Sequence, residues 1–257
     1  MKMKTVKIKN VELGTGIPKI AIPIVGRNLE ELRREIGLLK ELPVDIIEWR
    51  ADYLDAANRY DEVKRMAAEL RRMLPDQPIL FTFRTLQEGG EKKISPEYYV
   101  ALNHELIKSG LVDLVDVERS SGNETVREIV GTAHRYGTKV IMSSHDFHQT
   151  PSTEVIVKRL CEMQEQGADI SKMAVMPKTA NDVLTLLKAT ELMNTTFADR
   201  PFITMSMSGK GVISRLTGEL FGSALTFGSA EKASAPGQIR ADKLAELLNF
   251  FHEQQGH

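Results

Sequence analysis

Residues 139–176 read KVIMSSHDFHQTPSTEVIVKRLCEMQEQGADISKMAVM, and the reading of this stretch decides the fold. Its first part, KVIMSSHD (139–146), is a short β-branched and apolar run that turns polar at its end, as a buried strand does on reaching a loop. TEVIVKRLCEMQEQG (153–167) has helical apolar spacing and ends in a glycine placed for a C-cap. ISKMAVM (170–176) is a second apolar run. Strand, helix, strand in one direction demands a parallel pair joined by a crossover.

The same unit repeats on either side. Apolar runs recur at 19–26 (KIAIPIVG), 45–52 (DIIEWRAD), 78–84 (PILFTFR), 111–118 (LVDLVDVE), 201–207 (PFITMSM) and 224–229 (ALTFGS), which makes eight with the two above. Helical spacing fills 29–42, where Leu29, Leu32, Ile36 and Leu39 share a face. It returns at 180–193, with Thr179 or Asn181 as N-cap, and at 241–251. Eight strand–helix units with no composition break predict an α/β protein, a (β/α)8 TIM barrel forming one domain over 1–257. A doubly wound open sheet is the rival, but GRNLEEL after the first strand is not a glycine-rich phosphate loop. KTVKIKNVEL (4–13) alternates, so a β-hairpin over residues 1–14 is expected to cap one barrel end.

Composition narrows the function classes. The 257 residues are 42% hydrophobic and 27% charged with net charge −1, a globular balance with no general pull toward nucleic acid or anionic membrane. No apolar run approaches the ~20 residues of a membrane span, and the basic N-terminus lacks the apolar core of a signal peptide. A single cysteine, Cys161, sits in a helical pattern as a small core residue and fits a reducing cytoplasm.

Barrel chemistry lies at the C-terminal ends of the strands, so polar residues there are the informative ones. Glu48 and Arg50 lie two apart and face the same way, which sends Trp49 toward the helices. Arg84 ends its strand, and Glu88 follows before Gly89-Gly90. His145 and Asp146, then Ser206 and Ser208, end two more, with Arg215 just beyond. Lys172 stands inside an apolar run, where a lysine either snorkels to water or is a desolvated nucleophilic amine. Three arginines suit a carboxylate or phosphate, and they disfavour a free ammonium beside them. His145 could manage the protons of imine chemistry. His145 and His148 are three apart, but no further ligands complete a metal set.

The motifs EWR (48–50), FTFR with EGGE (81–84, 88–91), SSHDF (143–147), KMAVMP (172–177), ITMSMSGKGVISRL (203–216), FGSALTFG (221–228) and SAPGQI (234–239) together resemble type I 3-dehydroquinate dehydratases, in order along essentially the whole chain. The resemblance implies a cytoplasmic homodimeric lyase, without metal or organic cofactor, in the shikimate route to aromatic amino acids. It implies a small-molecule substrate, 3-dehydroquinate, converted to 3-dehydroshikimate through a Schiff base on Lys172. It makes His145 the general acid/base and Glu88 its orienting carboxylate. Glu48, Arg50, Arg84 and Arg215 become substrate contacts, with Arg215 the carboxylate clamp, and Ser234 and Gln238 belong to a mobile lid over 228–239. Some relatives place a substrate-contacting serine where this chain has Pro23, so that contact is absent or made otherwise. Two rivals share features of the site. A class I aldolase-like barrel would use the same lysine and take a phosphate near SGKGVISR (208–215). A non-catalytic relative would only bind a carboxylated ligand.

Overall fold

A computed structural model describes residues 4–231 and 235–256. Each of the eight apolar runs forms a strand: β3 (Lys19–Ile24), β4 (Ile46–Arg50), β5 (Ile79–Thr82), β6 (Leu114–Glu118), β7 (Lys139–Asp146), β8 (Ile170–Val175), β9 (Phe202–Ser206) and β10 (Leu225–Ser229). They pair in parallel, with β10 joined to β3 and the order running on through β9. The curled sheet meets itself between β9 and β10 at a single bridge, Phe202 to Ser223, where the Ala224 amide donates to Phe202 O at 2.9 Å. The connection across this seam holds only short elements: a 3-10 turn at Gly209–Gly211 and two single-turn helices, α7 (Ile213–Leu216) and α8 (Gly218–Phe221).

The other connections carry the outer ring: α1 (Leu29–Leu39), α2 (Tyr60–Met73), α3 (Pro96–Ser109), α4 (Asn123–Arg135), α5 (Thr153–Glu165), α6 (Ala180–Leu192) and α9 (Ala241–Gln254). Thr179, not Asn181, caps α6, through a capping box with Asp182 that satisfies amides at both ends of the motif. Gly167 ends α5 with φ +90°, a conformation glycine adopts without a Cβ clash. Among the described residues no helix is long and apolar enough to cross a membrane.

The period of two along each strand divides the core into two parts. Outward residues such as Ile47, Trp49, Phe81, Val117, Met173 and Val175 pack under the helices, with Trp49 edge-on to Phe81 at 5.6 Å. Inward residues build the barrel in layers. Ala21, Ile46, Leu80, Leu114, Ile141, Ile170, Ile203 and Leu225 form an apolar floor. The expected hairpin, β1 (Val6–Ile8) paired antiparallel with β2 (Val11–Leu13), closes that floor from below with Val6, Ile8, Val11 and Leu13. Burying each of those side chains stabilises the closure by roughly 1.5–3 kcal/mol. With its lower end plugged by hydrocarbon, the barrel of described residues opens at the C-terminal ends of its strands.

Candidate active site

Above the apolar floor the same inward positions turn polar. Glu48 and Arg50 on β4, Thr82 on β5 with Arg84 just past its end, Asp116 and Glu118 on β6, Ser143 and His145 on β7 and Lys172 on β8 all take their direction from the strand period, and all but His145 are buried. Lys172 enters its strand early, yet its long side chain runs up the barrel axis beside the small Ala174. Its Nζ lies 3.5 Å from Asp116 Oδ2, 3.9 Å from Glu48 Oε1 and 4.3 Å from the centre of the Phe227 ring. The snorkelling alternative fails on burial: the residue is 4% exposed. Its amine lines a cavity of about 160 Å3 together with Glu48, Arg50, Arg84, Glu88, His145, Arg215 and Gln238. Ser234 lies outside the described residues.

The histidine is held from one side. Glu88 Oε2 accepts from the His145 backbone amide at 3.2 Å and lies 2.9 Å from Nδ1, while Ser120 donates to the other carboxylate oxygen. Gly89, at φ +81°, brings the backbone round beneath the Phe147 ring, where a Cβ would collide with it. Burial, then the charges of Arg84 and Lys172, holds His145 well below its ordinary value, so the imidazole is neutral. With Nδ1–H given to the carboxylate, Nε2 keeps a lone pair for proton transfer. Burial raises Glu88, against the opposing pull of Arg84 and the Ser120 hydroxyl.

The three arginines are not the open ring of charge that the sequence suggests. Arg50 is forked onto Asp52 through Nε and Nη2, both at 2.8 Å. Arg84 lies 2.8 Å from Asp116 and 2.9 Å from Glu118, and the nearest charges to Lys172 are therefore carboxylates. Arg215 differs. It is 1% exposed, and among the described residues no carboxylate lies within ion-pair distance. Among the described residues its guanidinium reaches Phe227 O at 3.4 Å, Pro236 O at 3.2 Å and Met205 Sδ at 3.8 Å, and burial lowers it to about 10. A buried cation with no anion of its own is a receptor for one.

The matching family model, Type I 3-dehydroquinase, spans residues 20–255. The chain is 55% identical over 252 residues to a 3-dehydroquinate dehydratase of Syntrophotalea carbinolica, covering 98% of this chain and all of that one. It is 52% identical over 250 residues to one from Clostridium novyi, covering 97% and 99%. A crystal structure of the type I enzyme from Clostridium difficile superposes with a TM-score of 0.96 at 53% identity over 98% of this chain and 99% of that one. The chain belongs to the type I 3-dehydroquinase family.

In this enzyme Lys172, His145, Glu88, Glu48, Arg50, Arg84 and Arg215 converge on one cavity, together with Gln238, which only the family resemblance names; other polar strand ends lie elsewhere. Ser206 points away from it, because the inward positions of that strand are Met205 and its neighbour two residues on, Met207. Asp146 folds back to accept from the His148 and Gln149 amides in a turn. Pro23 is not among the lining residues. The 228–239 segment is bounded by pairing: Gly228 and Ser229 belong to β10, and they pair with Ile239 and Arg240, a short strand β11 (Ile239–Arg240). Only the span between them connects strands, and there Ala235, Pro236 and Gln238 reach the cavity. Asp116, Glu118 and Asp52 are buried partners of the named residues that the strand-end search passes over. The Glu48–Arg50 spacing applied to LVDVE would have flagged the first two.

Proposed function

We propose that this enzyme, a 3-dehydroquinate dehydratase by family, removes water from its substrate through a covalent imine on Lys172. The amine adds to the ketone carbon and the carbonyl oxygen leaves as water, taking one hydrogen from the nitrogen and one proton relayed through His145 Nε2, which leaves a protonated C=N bond that draws electrons from the adjacent carbon. His145 Nε2 takes the proton from that carbon. The electron pair forms the new C=C bond as the hydroxyl beyond it departs, protonated by the same imidazole. Water then hydrolyses the imine, releasing 3-dehydroshikimate and the free amine. Glu88 orients the imidazole. Arg215 receives the substrate carboxylate, and Glu48, Arg50, Arg84, Gln238 and Ser234 contact its hydroxyl-bearing ring.

The observation that carries this reading is the convergence of a buried amine, a neutral imidazole with a carboxylate behind it and an arginine lacking an acid on one cavity. The Clostridium difficile relative, reported with covalent modified comenic acid, supports covalent chemistry in a site of this family. The reading includes a single-domain protein acting as a homodimer in the cytoplasm. It also includes a mobile cover that contains Ala235, Pro236 and Gln238, supported by their place in the cavity lining. The test is ultraviolet absorbance of the conjugated product from 3-dehydroquinate. Wild-type protein should produce it and Lys172→Ala should not, with its thermal unfolding unchanged; an active Lys172→Ala enzyme overturns the proposal.

A further inference from the structure

Asp116 is the closest acid to the Lys172 amine, and it has no part in the chemistry described so far. It stands on β6, 1% exposed and outside the cavity lining, so it touches Nζ from behind and cannot touch the substrate. Its carboxylate is fixed at both oxygens. Ser143 Oγ donates to Oδ1 at 2.6 Å, and Arg84 Nη2 lies 2.8 Å from Oδ2. Resting on the imine reading above, we propose that Asp116 is the counter-ion that keeps the imine nitrogen on Lys172 protonated during elimination.

The chemistry requires such a group. When the amine adds to the ketone and water leaves, the nitrogen carries one hydrogen and one positive charge, C=N(H)+. If that proton escapes, the neutral imine has no charge with which to draw the electron pair from the neighbouring C–H bond. The groups facing the nitrogen come from five strands: Glu48 on β4, Arg84 beyond β5, Asp116 on β6, His145 on β7 and the Phe227 ring on β10. Arg84 works against a positive nitrogen. Glu48 lines the cavity, so substrate hydroxyls compete for it. Asp116 alone is both within 3.5 Å and sealed from substrate. Burial opposes its charge, but Arg84 and Lys172 outweigh that and hold it well below the usual carboxylate range, so it stays anionic.

The test is the pH dependence of turnover in Asp116→Asn and Asp116→Glu, with borohydride capture of the 3-dehydroquinate adduct in parallel. An opposite charge at this distance moves a titration by about 1–3 pH units. The alkaline limb of kcat in Asp116→Asn is therefore expected about 1–3 units lower than in wild type. Activity at the acidic end of the plateau should be largely kept, and Asp116→Glu should restore the limb. Ser143→Ala, which only loosens the carboxylate, should shift it the same way by less and covers the case of an Asn variant that does not fold. A limb that stays in place in the folded variants, or a loss uniform across pH, overturns the counter-ion. Absence of any reducible adduct in active wild-type enzyme overturns the imine reading itself, a distinct result.

Discussion

Replacing Arg215 with methionine should make the empty enzyme more stable and the working enzyme far worse. The guanidinium is 1% exposed with no acid beside it among the described residues, and burial lowers it to about 10. Arginine ordinarily titrates above about 12, and each pH unit is worth ~1.4 kcal/mol, so the buried charge costs on the order of 3 kcal/mol. The sign is that of a base depressed in the folded state. The cost is fully present at every pH below about 10 and is relieved only as pH rises through that value. Methionine removes it and fills similar volume. Loss of the two long bonds to Phe227 O and Pro236 O offsets about 1–2 kcal/mol, leaving a net gain of about 1–2 kcal/mol. For a chain of this length that is roughly 2–8 °C in Tm. Substrate binding moves oppositely. Two charge-assisted bonds to a carboxylate, at ~1.5–3 kcal/mol each, correspond to about a 10²- to 10⁴-fold loss in kcat/KM. The assays are thermal unfolding without substrate and steady-state kinetics, with KM expected to take most of the change. An Arg215→Met enzyme no more stable than wild type, with kcat/KM within threefold, refutes the reasoning.

Glu88→Ala should lower kcat by about 10–100-fold with little effect on KM, because it leaves His145 in place but removes the carboxylate that fixes its tautomer; a kcat equal to wild type in steady-state assays argues against the positioning role. Burial, Arg84 and Lys172 keep His145 neutral, so the acid limb of kcat/KM should lie on the acid side of ~6.5. Removing the Arg84 charge with Arg84→Met should let protons bind more readily and move that limb to higher pH, whatever the amplitude; a limb that stays put or moves down contradicts the assignment.

The strands and their inward faces were legible because one periodicity governs both. Glu48 and Arg50 are both inward-facing, and Trp49 between them packs under the helices. For Lys172 a snorkelling side chain and an interior amine both stayed open in the sequence, and burial decides for the interior amine. The partnerships were not legible. Arg84 meets Asp116 and Glu118 only through the stagger of β5 against β6, which no local pattern encodes, so arginines that looked free proved to be paired. Ser206 attracted notice as a polar strand end, whereas the inward parity of β9 belongs to Met205. The extent of the loop after β10 depended on Gly228 pairing in parallel with Ile239, a contact that the Gly, Ala, Ser and Pro composition conceals.

The central claim is a covalent bond between Lys172 and the substrate. Active enzyme turned over with 3-dehydroquinate in the presence of borohydride, then digested and mapped by mass spectrometry, addresses it directly. The account predicts one reduced adduct, on the peptide containing Lys172, with activity lost in proportion to labelling. Active enzyme that yields an unmodified Lys172 peptide, or an adduct on a different lysine, contradicts it.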